Sequence, residues 1–390
     1  MTGFDPTAFE TVVKGHCFED FEVGRVFVHH WGRTITAGDN ALFSAATCTW
    51  NPMYLNSEFA RGHGHPDMVV NPMLVLCTAV GLSVEDLSEG GGPFLGLDGC
   101  TFRAPVHPGG TLTATSQVVA ARPSQSRPDF GIVTWRTEAR DQHGSLVVDF
   151  TRSNLVRRRG GGGSERPAGG RGKVGDGQGA GPARPAGDSV RAVQAPAHLG
   201  EGVHPAGKAT VDGHPLAGHG ARWVPLTGDG NYFEDFTVGR RVHHARAATV
   251  GEIENSIVSK LVMNTAQAHW NEHFLAGAGQ RGRAAGGLDL GSGRLVFGLV
   301  TASMVFGLAS QDTTENALAE LGCDKLRFLA PVHHGDTLHA YTEVLDLHEE
   351  DWPGAGVVRF RHWGVDHTDG VVFEGERTVL VKRRPDRRRR

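Results

Sequence analysis

The sequence FEDFEVGR at residues 18–25 recurs almost unchanged as FEDFTVGR at residues 233–240, a shift of 215 positions. A second stretch, FRAPVHPGGTL at 102–112, returns as FLAPVHHGDTL at 328–338, where the shift has grown to 226. Self-similarity of this kind indicates an internal duplication. The shift of 215 also pairs Thr34 with Thr249, Asn40 with Asn255, Ser44 with Ser259, Asn56 with Asn271 and Phe59 with Phe274.

The change of shift indicates an insertion in the second copy, near residues 279–293. The copies themselves extend over residues 15–158 and 231–384. Residues 159–230 between them are rich in Gly, Pro, Ala and Arg, a composition that buries too little apolar surface to offset the entropy lost on ordering. We therefore expect a flexible tether there and, at 385–390, a solvated basic tail.

Each copy shows the same order of predicted elements. In the first copy, Asn71 and Pro72 predict the start of a long apolar helix, because Asn is a favoured N-cap and Pro is favoured at the first helical position. Alternating segments of high strand propensity follow each long helix. They lie at 112–119, 131–138 and 146–156, and again at 337–345, 356–365 and 371–381.

A buried helix followed by an antiparallel meander is the hotdog arrangement, in which a sheet wraps around a central helix. The sequence therefore predicts an α+β fold of double hotdog type. We expect the two units to pack as a pseudo-dimer that shares one continuous sheet.

Composition excludes several functional classes. The formal net charge of -4 gives no general attraction to nucleic acid, and no apolar run is long enough to span a bilayer. The five cysteines form no CxxC pair and leave one unpaired, a pattern typical of reduced thiols in a cytoplasm. The N-terminal residues lack the apolar core of a signal peptide.

The loop before each long helix resembles the signature of MaoC-like proteins and (R)-specific enoyl-CoA hydratases, roughly G-D-x-N-P-x-H. In that family the Asp and His are the catalytic pair. The first copy has CTWNPMY at 48–54, which keeps Asn51 but has Thr49 and Tyr54 at the catalytic positions. The second copy has MNTAQAH at 263–269, with Asn264 at the Asp position and His269 retained.

This resemblance covers both copies. The fused layout, together with NTAQAH at 264–269 and FRHWG at 360–364, is also similar to mesaconyl-CoA and itaconyl-CoA-type hydratases. It implies a lyase that adds water reversibly across the double bond of an acyl-CoA thioester, with a short branched or dicarboxylic C5 acyl group. It implies no metal and no redox cofactor.

The residue types assign the chemistry to the second copy. His269 can act as general acid and base, because an unperturbed imidazole titrates near neutral pH. Asn264 cannot titrate but can orient a water molecule. The family resemblance makes the backbone N–H of Gly298, at the start of the second long helix, the donor to the thioester oxygen; the first copy has Pro72 there, which has no N–H.

The first copy is then expected to shape the pocket, with Tyr54 and Asn51 as substrate-binding residues. Arg281, Arg283 and Arg294 lie in or beside the insertion, and either meet a distal carboxylate or the CoA phosphates or belong to a solvated loop. The spacing of His269, Glu272 and His273 also fits an inverted zinc-peptidase motif, but the duplication explains His269 without a metal. A homodimer of double hotdogs is one expected assembly.

Two other functions compete with hydration. A hotdog thioesterase would need a carboxylate beside the thioester carbon, for which Glu254 and Glu272 are the nearby candidates. A non-catalytic acyl-CoA-binding protein is the other alternative, because neither copy has the family's Asp. Release of free CoA would indicate the thioesterase, and turnover of any enoyl-CoA would exclude the binding protein.

Overall fold

The computed structural model describes residues 4–10, 12, 14–90, 92–160, 227–228, 230–274, 293–349 and 354–385. These residues form one ten-stranded antiparallel sheet in the order β1-β3-β4-β5-β2-β7-β10-β9-β8-β6. The strands of the first copy are β1 (Val26–Thr34), β2 (Phe94–Phe102), β3 (Thr111–Pro123), β4 (Phe130–Arg140) and β5 (Leu146–Arg157). Those of the second are β6 (Arg241–Thr249), β7 (Ala317–Phe328), β8 (Thr337–His348), β9 (Ala355–Asp366) and β10 (Val371–Lys382).

Each copy contributes one long helix and several short ones. The α-helices of the first copy are α1 (Ala37–Ala46), α2 (Pro52–Leu55), α3 (Ser57–Gly62) and α4 (Pro72–Leu87). Those of the second copy are α5 (Val258–Leu261), α6 (Gly298–Leu308) and α7 (Ser310–Thr313). Short 3-10 or π turns lie at Pro6–Ala8, Phe18–Asp20, Phe233–Asp235, Ile253–Ile257 and Gln267–His269. No helix in the described ranges is long and apolar enough to cross a membrane.

The two copies are joined into one sheet by β2 and β7, as the predicted pseudo-dimer requires. Leu97 lies opposite Leu326, and Cys100 lies opposite Cys323, in an antiparallel pair. The sequence prediction missed both strands. In β2 the reason is local, because its glycines and aspartate are poor strand formers, and Gly99 adopts a positive φ of 59°.

The long helices α4 and α6 form the common core with the sheet. Each helix also presses against the other copy. A Cβ atom at Gly81 would lie 1.8 Å from the carbonyl oxygen of Val262, and one at Gly307 would lie 1.8 Å from that of Thr47. The signature loop of each copy is therefore held between its own unit and the long helix of the other.

Three parts of the chain named in the sequence analysis fall outside the described residues. They are most of the predicted tether, residues 275–292, which include nearly all of the insertion predicted near 279–293, and the last five residues of the basic tail. The substrate-binding candidates Arg281 and Arg283 belong to the second of these.

Candidate active site

The signature loop begins with the same backbone turn in both copies. Cys48 and Met263 adopt positive φ values of 56° and 60°. The family signature has glycine at this position, the residue that adopts such a conformation without steric cost. The turn is thus retained although its glycine is absent, and it directs the next residue, Thr49 or Asn264, into a buried position.

A buried asparagine fixes the backbone around His269. The side-chain nitrogen of Asn255 donates to the carbonyl oxygens of His269 (2.9 Å) and Leu295 (3.2 Å), and its oxygen accepts from the N–H of Phe297 (3.0 Å). Asn40 makes the matching bonds to Tyr54, Val69 and Asn71 in the first copy. The sequence comparison paired these two asparagines but did not reveal that they position the loop.

His269 is half-buried, at the end of the turn Gln267–His269. Its Nδ1 lies 2.9 Å from the carbonyl oxygen of Leu295, and since a carbonyl only accepts, Nδ1 carries the proton of a neutral ring. Burial lowers the pKa of His269 to about 4, although the bond to Leu295 acts in the opposite direction. Nε2 is then an unprotonated nitrogen, the state that a general base requires.

Asn264 uses part of its amide to shape the loop. Its side-chain oxygen accepts from the N–H of Ala266 at 3.0 Å, and its main-chain carbonyl oxygen accepts from the indole N–H of Trp270 at 3.2 Å. Within the described residues the side-chain nitrogen makes no hydrogen bond. The amide therefore has a donor available, whereas its acceptor is already occupied.

The start of α6 offers unsatisfied backbone donors. Phe297 occupies the N-cap without a capping side chain, so the N–H groups of Gly298 and Leu299 have no partner in the described part of the chain. In the first copy, by contrast, Asn71 accepts from the N–H of Met73 at 3.0 Å, and Pro72 has no N–H. Only the second copy presents donors to an anionic oxygen at this place.

Gly298 also has a packing role. A Cβ atom there would lie 3.0 Å from the ring of Phe328, tighter than most such contacts. The absence of a side chain therefore fits both close helix packing and close approach of a ligand.

The equivalent place in the first copy is filled by protein. Tyr54 is buried, and burial raises the pKa of its phenol; the charges of Glu320 and Arg377 are near enough to act on it as well. The side-chain nitrogen of Asn51 donates to the carbonyl oxygen of Thr314 at 2.8 Å. Neither predicted pocket residue is open to a ligand in this structure.

The remaining charged candidates are engaged elsewhere. Arg294 forms ion pairs with Glu252 and Glu272 and donates to Ser256 at 3.2 Å. Its charge is therefore already neutralised by protein carboxylates. Glu254 accepts from the N–H of Gly251 at 3.0 Å, so both glutamates considered for a thioesterase have local partners. In the ranges that the structure covers, no cluster of three or more His, Cys, Asp or Glu could hold a metal ion.

Known proteins are similar to this chain over most of its length. The model of the mesaconyl-CoA hydratase family matches residues 6–189 and 225–383. A mesaconyl-CoA hydratase of Haloarcula marismortui is 31% identical over 387 residues, covering 96% of this chain and 92% of the relative. A beta-methylmalyl-CoA dehydratase of Chloroflexus aurantiacus is 28% identical over 332 residues, covering 85% and 82%.

Solved structures agree with the fold. A putative MaoC domain protein dehydratase from Chloroflexus aurantiacus superposes with a TM-score of 0.70 at 25% identity, covering 95% of this chain and 98% of that one. A Mycobacterium tuberculosis protein described as a double hotdog gives 0.66 at 21% identity, with coverage of 94% and 98%. The chain therefore belongs to the mesaconyl-CoA hydratase family and is a MaoC-like double hotdog hydro-lyase of the acyl-CoA hydratase and dehydratase type.

Proposed function

We propose that this enzyme adds water reversibly to a short branched dicarboxylic C5 enoyl-CoA such as mesaconyl-CoA. One observation carries the proposal. A neutral His269 is hydrogen-bonded through Nδ1 to the carbonyl oxygen of Leu295, and the uncapped helix α6 begins at Gly298, three residues after Leu295. A base and an oxyanion donor on adjoining segments are what hydration of an unsaturated thioester requires.

His269 acts first as the base and then as the acid. Its Nε2 takes a proton from water while the water oxygen bonds to the β-carbon and the π electrons move onto the thioester oxygen. The resulting enolate then takes that proton at the α-carbon from the same face, and His269 returns to its neutral form. Dehydration follows the same steps in reverse.

Two further groups assist these steps. The N–H of Gly298 donates to the thioester oxygen, where negative charge develops. The side-chain nitrogen of Asn264 donates to the oxygen of the attacking water, because its own oxygen is already bonded to Ala266. An amide in place of the family's Asp leaves His269 as the single titrating group.

An absorbance assay across a small panel of enoyl-CoA thioesters tests the proposal. We expect the absorbance of the conjugated thioester to fall without release of free CoA, and most rapidly for a branched dicarboxylic substrate. Release of CoA thiol at the same rate would instead establish a thioesterase. Absence of turnover with every thioester, together with measurable binding, would establish an acyl-CoA-binding protein.

We also propose that the enzyme is cytoplasmic and that it assembles as a homodimer of double hotdogs. The five cysteines are all free, as they would be in a reducing compartment. Sedimentation equilibrium of the full chain distinguishes a dimer from a monomer.

A further inference from the structure

Arg152, on β5, is a buried cation without a counterion. The residue is only 2% exposed, and its Nε and Nη2 are buried without a hydrogen-bond partner. No carboxylate of the described residues lies within ion-pair distance of it. Its guanidinium lies 5.4 Å from the ring centroid of Trp135, and burial lowers its pKa to about 9. An unpaired buried charge is costly to the fold, so its presence calls for an explanation.

The second copy contains the ion-pair partner that Arg152 lacks. Arg377 occupies the corresponding position of β10, is equally buried, and forms an ion pair with Glu320 of β7. The shift of 226 that relates β2 to β7 places Phe94 where the second copy has Glu320. The first copy has thus kept the arginine and lost its carboxylate.

The duplication also relates this unpaired arginine to His269. The phenol of Tyr54, in the first copy, lies near enough to Glu320 and Arg377 for their charges to act on its pKa. His269 is the counterpart of Tyr54, so the duplication places Phe94 and Arg152 at the positions that correspond to Glu320 and Arg377 beside the phenol. Since histidine is shorter than tyrosine, its ring reaches less far from the backbone than the phenol does in the first copy.

Contacts connect Phe94, at the position that corresponds to Glu320, with the start of α6. The ring of Phe94 lies 4.9 Å from that of Phe328, and Phe328 packs directly against Gly298. Asn154 pairs with Phe94 across the sheet, and its side-chain oxygen is likewise buried without a partner. Arg152 and Asn154 are two residues apart on one strand, so both side chains point to the same face.

We propose that Arg152 is the receptor for the distal carboxylate of a dicarboxylic acyl-CoA. The substrate supplies the negative charge that Glu320 supplies in the other copy, and the guanidinium binds it through charged hydrogen bonds. This inference rests on the proposed function, and it makes Arg152 the residue that selects dicarboxylic over monocarboxylic substrates. Asn154 adds a polar group beside the same carboxylate.

The test compares the parent with Arg152→Met, which keeps the length of the side chain and removes its charge. Two substrates are used: mesaconyl-CoA, and the matched enoyl-CoA in which a methyl group replaces the distal carboxylate. We expect Arg152→Met to lower kcat/KM for the dicarboxylic thioester by about 100-fold or more, with a change of less than about three-fold for the methyl analogue. The thermal midpoint should rise, because an unpaired buried charge is removed.

A double variant, Glu320→Leu with Arg377→Met, is the matched control. It removes the equivalent buried pair of the other copy and should leave the preference between the two substrates unchanged. Equal losses on both substrates in Arg152→Met, or a parent without preference for the carboxylate, would overturn the role of Arg152.

A binding measurement separates this inference from the proposed function. Saturated methylsuccinyl-CoA and its methyl analogue cannot be hydrated, and their Kd values are compared by calorimetry in parent and variant. If the parent hydrates nothing but Arg152→Met still abolishes the preference in Kd, the catalytic proposal fails and the carboxylate site stands. If the preference in Kd survives Arg152→Met, the site is wrong whatever the turnover.

Discussion

Replacing Gly298 with proline tests the oxyanion donor with little disturbance to the fold. Proline is favoured at the first helical position, and Pro72 already occupies it in the first copy. Phe297 has φ and ψ of -61° and 123°, within the region that a following proline requires. The substitution therefore removes one N–H and keeps α6.

The expected cost follows from the number of donors lost. Removing one oxyanion donor typically lowers kcat by about 10²–10³, or about 2.7–4 kcal/mol. Leu299 keeps its own N–H at the same helix start, so we expect the lower end, about 10². The control is Gly298→Ala, because its Cβ meets the same ring of Phe328 at 3.0 Å while the N–H remains.

Initial rates of enoyl-CoA hydration, followed by absorbance, give kcat and KM for both variants. The loss in Gly298→Pro relative to Gly298→Ala should appear mainly in kcat, since the donor acts where charge develops. Circular dichroism and thermal melting check that both variants are folded. If the two variants have the same kcat, the N–H of Gly298 does not stabilise the transition state, and the glycine serves packing alone.

Three further predictions concern the base. His269→Ala should lower kcat by about 10² or more, whereas Tyr54→Phe should change stability rather than kcat. The reverse result in steady-state kinetics and thermal melting would mean that the base belongs to the first copy. With a pKa of about 4 for His269, kcat/KM should be flat from neutral pH to about 5 and fall below it as the ring is protonated; a limb near 6.5 in the pH profile would contradict its burial. Asn255→Ala and Asn40→Ala should lower the melting midpoint similarly, since each removes at least three hydrogen bonds of about 1 kcal/mol, but only Asn255→Ala should lower kcat.

The sequence predicted two kinds of structure well: elements that depend on neighbouring residues, and elements that the internal duplication repeats. The start of α4 follows from the cap of Asn71, whose side chain does accept from Met73 as an N-cap should. The start of α6 has no such cap, and it was found only because the duplication aligns Gly298 with Pro72. The double hotdog itself followed from the same repetition.

Contacts between distant segments could not be predicted in this way. Arg294 was expected to meet a ligand or to lie in a solvated loop, and its ion pairs with Glu252 and Glu272, 42 and 22 residues earlier in the chain, were not predicted. Asn51 was kept from the family signature, yet its amide bonds to Thr314 of the other copy. Such pairings depend on how the copies pack, which no local pattern contains.

The structural difference between the copies explains how one of two equivalent sites became specialised. At one of these sites, the phenol of Tyr54 from the first copy and the buried ion pair Glu320–Arg377 from the second copy take the place of the base and of a charged ligand. At the other site, His269 from the second copy is shorter than the phenol, and Arg152 from the first copy has no ion-pair partner among the described residues. In the proposed complex, a buried charge that destabilises the free enzyme becomes favourable once an anionic substrate binds, so stability is lost in one state and affinity gained in the other. The duplication makes this exchange possible, because one site can stabilise the shared sheet while the other is left for the proposed chemistry.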